Sequence, residues 1–137
     1  MSTPVATVKK IVLHAVIIAA IGVALLWGNT LSRQREQFSR GEEALSRADF
    51  VAAVAGYEAA IHMYTPWSSL VERSAGRLWS LGEEMERKGD SKRALIAYRS
   101  LRSSFYAVRG LTSPGTEWIA RCDTKIAKLV AKRNDVH

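Results

Sequence analysis

The sequence predicts an all-α protein: one N-terminal transmembrane helix, then two helical hairpins and a C-terminal cap helix. Three observations carry that expectation. Residues 11–27 read IVLHAVIIAAIGVALLW, an almost unbroken apolar run. From Leu31 onward apolar residues recur at three and four with little β-branched alternation, which is the period of helices and not of strands. Clusters of helix stop and start residues then divide that stretch into segments of helical length.

The apolar run comes first. Its seventeen residues give about 26 Å at ~1.5 Å rise, slightly short of a hydrocarbon core of about 30 Å. Lys9 and Lys10 can snorkel at one end and Trp27 suits the interface at the other, so these three are the expected membrane-interface residues. A cleaved secretory signal is the rival reading. Such signals carry an apolar stretch of about 7 to 15 residues before a small-residue cleavage site. This run is longer and ends in LLWGNTLS, which leaves only a weak Gly28-x-Thr30 site and favours an uncleaved anchor. There is no second run of this length, so a single crossing is expected. Lys9 and Lys10 argue for a cytoplasmic N-terminus, while Arg33, Arg35, Arg40 and Arg47 beyond the run argue against it. The signal-anchor pattern favours the N-terminus inside and the tail on the periplasmic or extracytoplasmic side, because long following domains translocate largely regardless of charge. His14 lies one turn from Lys10 and reads as an interfacial polar residue, since no intramembrane carboxylate accompanies it.

The expected organisation is a leader at 1–10, a transmembrane helix at 11–28, a connector at 29–33, one helical domain at 34–133 and a tail at 134–137. Gly28-Asn29 is a weak breaker with no Pro, so the membrane helix can equally continue into the next as a stiff stalk. Soluble helices are expected near 31–47, 50–63, 67–88, 91–108 and 114–133. Asp49 caps the second and Gly89-Asp90 divides the third from the fourth. Thr65-Pro66 opens the third, with Ser69 and Glu72 as an alternative capping box. Ser113-Pro114 opens the last. Cys122 is alone and falls among Ile119, Ile126 and Leu129 at helical spacing, which suits a small buried hydrophobe better than a nucleophile or ligand.

The chain contains an internal repeat. GEEALSRADFVAAVAGYEAA (41–60) aligns without gaps with GEEMERKGDSKRALIAYRSL (82–101), an offset of 41 residues. Gly41, Asp49, Ala53 and Tyr57 match Gly82, Asp90, Ala94 and Tyr98. This spacing resembles the tetratricopeptide repeat, over roughly residues 34–104. The resemblance implies that the small residue of each first helix lets the second pack close, that Ala-x-x-x-Tyr fills the seam, and that the final helix is a solvating cap. The family repeat is ~34 residues, so about seven extra lie around Met63 to Val71. Ala48 replaces the usual turn Gly, and Arg40 stands where the family has Leu. A generic helical bundle with a chance GEE match is the alternative. Two repeats are fewer than the three or more such arrays need, so the cap helix, the stalk, a second copy of the chain or a partner must cover the remaining apolar faces.

By the same resemblance Trp79 looks into the concave groove with Glu83, Glu86 and Arg87; ordinary packing is the competing role for it. Charge supplies the other candidate surface. Residues 31–91 carry eight basic and ten acidic side chains, whereas residues 92–137 carry ten basic and three acidic. Within that basic third, Arg99, Arg102, Tyr106 and Arg109 share one helical face opposite Leu95, Tyr98, Leu101 and Phe105, and Arg121, Lys125, Lys128 and Lys132 form a second stripe. Such stripes are solvated faces, or sites for an acidic protein, for anionic lipid headgroups if the tail is cytoplasmic, or for nucleic acid. Nucleic acid is disfavoured, because no helix-turn-helix, zinc-finger or RNA-binding signature is present.

No catalytic motif, phosphate loop or paired-Cys metal site occurs, and the three His share no site, so no enzyme activity and no cofactor are expected. The sequence predicts a bilayer-anchored adaptor that docks another, membrane-associated protein. The alternative is an obligate subunit of a membrane complex, with Ala19, Ala20, Gly22 and Ala24 packing against other helices.

Overall fold

The structure, a computed structural model, describes residues 4–136; Met1 to Thr3 of the leader and His137 of the tail lie outside the described residues. Five helices and no strand are present among the described residues: α1 (Pro4–Ser46), α2 (Phe50–His62), α3 (Ser69–Arg87), α4 (Ser91–Ala107) and α5 (Thr116–Asn134). The all-helical expectation holds.

Helix α1 runs for 43 residues without a break, about 65 Å at ~1.5 Å per residue. Residues 29–33 are therefore helix and not a separate connector. A Gly in a helix interior costs ~1 kcal/mol, too little to end a helix that continues on both sides, and Thr30 Oγ1 donates back to the Leu26 carbonyl at 2.9 Å. The N-terminal half is long and apolar enough to cross a membrane, and none of that stretch is buried by the rest of the chain.

The C-terminal half of α1 pairs with α2, α3 pairs with α4, and α5 packs on α4. The two hairpins repeat one another atom for atom at their turns. Asp49 and Asp90 each cap the following helix, accepting from the backbone N–H of Ala52 and Arg93 at 3.0 Å. The residues before them, Ala48 and Gly89, both adopt left-handed backbone, with φ of 56° and 74°. Behind each turn a tyrosine ring lies flat on a glycine: a Cβ on Gly41 would stand 2.8 Å from Tyr57, and one on Gly82 would stand 2.5 Å from Tyr98. Both tyrosines are fully buried. The 41-residue offset is thus a repeat of conformation and packing as well as of letters.

Two helix starts differ from expectation. Helix α3 begins at Ser69 and is capped by Ser68, whose Oγ accepts from Leu70 N–H at 3.3 Å; neither Thr65 nor Ser69 is its cap. Thr65 is buried, its hydroxyl donating to the Met63 carbonyl at 3.1 Å, and the left-handed backbone of Trp67, φ 63°, keeps a helix from starting at Pro66. Helix α5 starts at Thr116 after Gly115, with no side-chain cap, and Ser113-Pro114 remains in the loop. Gly115 has φ 72°, and the Phe105 ring fills the space that a Cβ there would need. A contact with the preceding helix α4 sets that boundary.

The core is continuous through both hairpins and includes Tyr57, Ile61, Leu78, Tyr98, Leu101 and Phe105. Cys122 is buried in it as a small hydrophobe, and burial pushes its thiol up to about 12. Such a thiol is inert at neutral pH.

Candidate docking surface

The eight soluble-domain residues singled out from the sequence fall into two groups. The first centres on Trp79. Its ring stacks at a tilt on Tyr98, with centroids 5.0 Å apart, and on Trp118 of α5 at 6.1 Å. The Arg121 guanidinium lies over both indoles, 4.2 and 4.5 Å from their centroids. Trp118 is fixed in turn by its indole N–H, which donates to Glu72 at 2.9 Å. The concave position expected for Trp79 is therefore occupied by α5, and the ring is half-buried.

Glu86 belongs to the same seam. Its Oε1 accepts from the Tyr98 hydroxyl and, at 2.8 Å, from Lys125 Nζ. Burial alone raises its pKa, but the hydrogen bonds from Lys125 and Tyr98 and the charges of Lys125 and Lys128 outweigh burial and hold it below the usual carboxylate range. The Tyr98 hydroxyl moves the other way, pushed up by burial and then by Glu86. Arg121 and Lys125 thus serve the α3–α5 seam and are not simply a solvated stripe. Glu83 is half-buried on the same helix and Arg87 is exposed.

Of the second group, Arg99, Arg102 and Tyr106 share the outer face of α4, whereas Arg109 lies beyond the helix, which ends at Ala107 and is capped at Val108, so it is not on that helical face as expected. Leu95, Tyr98, Leu101 and Phe105 are buried beneath it, as the periodicity predicts. Tyr106 is 43% exposed, with the guanidiniums of Arg102 and Arg109 at 5.0 and 4.5 Å from its ring centroid. Arg102 also donates to Asp123 of α5. One turn earlier, Arg99 lines a cleft of about 370 Å³ between the α4 start and the α5 end, with Leu95 and Ile96 as apolar wall and Lys92 and Arg133 at the rim. Ile96 is 45% exposed.

Sequence reasoning missed Lys92, Ile96 and Arg133. Ile96 was findable, because it lies three residues before Arg99 on the same stripe. Arg133 was not, since its place at this cleft depends on how α5 crosses α4. An apolar wall under three cations suits a segment that carries both a carboxylate and an apolar side chain. Among the described residues, no three His, Cys, Asp or Glu are grouped to hold a metal.

At the far end of the molecule Lys9, Lys10 and Trp27 are all exposed, and Lys10 and Trp27 are about 26 Å apart along the helix at ~1.5 Å per residue. Compared with known proteins, the chain matches no family model, no curated protein and no solved structure.

Proposed function

We propose that the protein is a single-pass, membrane-anchored docking module, with its N-terminus in the cytoplasm and its helical domain across the membrane. The domain is a two-repeat, tetratricopeptide-like stack closed by α5, and it binds an acidic, partly apolar segment of a membrane-associated protein. The single observation that carries this reading is the cleft in which Leu95 and Ile96 are ringed by Lys92, Arg99 and Arg133. The Arg102–Tyr106–Arg109 stack adds cations at the far end of α4 and in the loop just after it. The repeat geometry supports the family likeness through its matched turns and its two Gly–Tyr seats. Anchoring confines both partners to a thin layer, and the raised effective concentration lets modest contacts suffice.

The obligate-subunit reading keeps one observation in its favour. Ala19, Ala20 and Ala24 face an open apolar groove on α1, as a helix packed against another membrane helix would.

Photo-crosslinking from position 96 of the full chain in its native membrane tests the docking reading. The expected result is a discrete adduct to one protein that weakens as salt rises and disappears in R99E/R133E. Crosslinks that form only from positions 19 and 20, and persist in R99E/R133E, would replace docking with the subunit reading.

A further inference from the structure

The loop between α2 and α3 carries an unusual residue. Trp67 is 97% exposed, more than any other aromatic residue of the domain, and it holds left-handed backbone with φ 63°. Both features are costly: a bulky side chain is strained in that region, and a whole indole is left in water. Strain of this kind persists only where the surroundings enforce it.

The residue after Trp67 is held by Gln34. Gln34 is fully buried, its Nε2 donates to the Ala60 carbonyl at 2.9 Å, and its Oε1 accepts from Ser68 Oγ at 2.6 Å. One side chain of the stalk thereby ties the end of α2 and the start of α3 to α1. Gln34 is two turns beyond Trp27, so the clamped loop is held against the end of the apolar run. Trp67 indeed lines one groove with Val23, Ala24 and Trp27. Beside it lies a cleft of about 240 Å³ walled by Trp27, Leu31 and Trp67 and bearing Arg35, Arg73 and Ser69. Neither arginine forms an ion pair among the described residues. Arg73 is instead braced over the Phe38 ring, 4.6 Å from its centroid.

We propose that this loop is a second membrane contact: Trp67 enters the interfacial layer beside Trp27, and Arg35 and Arg73 hold the phosphate of a phospholipid between them. The proposal rests on the reading of α1 as a membrane span. Given that reading, the depth follows from geometry. Trp27 sits where the hydrocarbon ends, and Trp67, sharing a groove with Val23 and Ala24, reaches the same level. Indole rings favour that layer because one edge is apolar and the N–H finds polar partners. Arginine matches phosphate with a planar fork of donors and keeps its charge at any physiological pH. The consequence is orientational. A single span lets the whole rod rotate about its axis and tilt in the bilayer, whereas a second contact fixes which face of the helical stack looks along the bilayer.

The test uses the full chain reconstituted in phosphatidylcholine vesicles, with and without phosphatidylglycerol, and lipids brominated near the top of the acyl chain as quenchers. Subtracting the emission of W67F from that of the unaltered protein isolates Trp67, and W27F does the same for Trp27. The expected result is that both signals are blue-shifted and quenched by bromolipid. Phosphatidylglycerol is expected to deepen the quenching of Trp67, and R35A/R73A to lose that increment. Quenching of Trp27 but not Trp67, with Trp67 open to aqueous iodide, overturns the proposal and leaves the span intact. Trp67 shielded from both quenchers also overturns it, since protein and not lipid would then cover the ring. If Trp27 is not quenched either, the span reading itself fails.

Discussion

Ala48 and Gly89 occupy the same place in the two hairpins, one residue before the capping aspartate, and both stand at positive φ. Nothing lies within 4 Å of a Cβ built on Gly89, so an alanine there would meet no clash and its only cost is the left-handed backbone. An L-residue with a Cβ pays ~1–2 kcal/mol there, partly offset by the smaller chain entropy of alanine in the unfolded state, about 0.4–1 kcal/mol. A48G is therefore expected to stabilise the protein by about 0.5–1 kcal/mol, and G89A to destabilise it by a similar amount. Urea titration of the detergent-solubilised chain followed by circular dichroism measures both, and a loss of stability in A48G would refute the strain. This position was legible in the sequence once the repeat was aligned, because Ala48 falls opposite Gly89. Gln34 was not legible. A polar residue on a stalk helix gives no sign that it will be buried, and its role comes from partners 26 and 34 residues away.

Helix boundaries followed the same division. Asp49 and Asp90 were readable because a cap acts within three residues of itself, whereas Ser68 and Gly115 are placed by Gln34 of α1 and Phe105 of α4. Trp79 shows the limit at the candidate surface. It was expected to line an open groove, and its ring is instead packed against Trp118 and Arg121, some forty residues on in sequence. What binds α5 to α3 is partly electrostatic, and that gives it a pH dependence. The folded pKa of Glu86 lies below its ordinary value, so its contribution to stability is complete above about pH 4.3, the usual unfolded glutamate value, and is lost as pH falls through the depressed folded value. E86Q removes the charge-assisted bonds from Lys125 and Tyr98. It is expected to cost about 1 kcal/mol at neutral pH, the range of such a partly solvated bond. It should also flatten the acid limb of the stability curve below about pH 4.3. Parallel urea titrations of the two proteins from neutral to acid pH measure this. An unchanged acid limb in E86Q would remove Glu86 from the account.

At the scale of the whole molecule the decisive feature is that α1 does not stop. The apolar run read from residues 11–27 and the first helix of the repeat domain are one rod of 43 residues, and a rod transmits rotation as well as position. Adding one residue to an α-helix turns everything beyond it by about 100° and lengthens it by ~1.5 Å. Adding seven turns it by about 700°, within ~20° of the starting direction, and lengthens it by about 10.5 Å. These two insertions after Asn29 separate orientation from distance. The single alanine swings the α4–α5 cleft to another side of the span, and it moves Trp67 away from the helix face that carries Val23 and Ala24. Seven alanines restore the direction of the cleft but lift the domain off the bilayer. If the docking surface must meet a partner held in the same membrane, the position-96 adduct is expected to vanish with one alanine and to return in part with seven, while circular dichroism shows helix content preserved in both. Equal adduct in all three proteins would mean that the stalk bends or swivels near Gly28, and the domain would then act as a flexible tether with no preferred face.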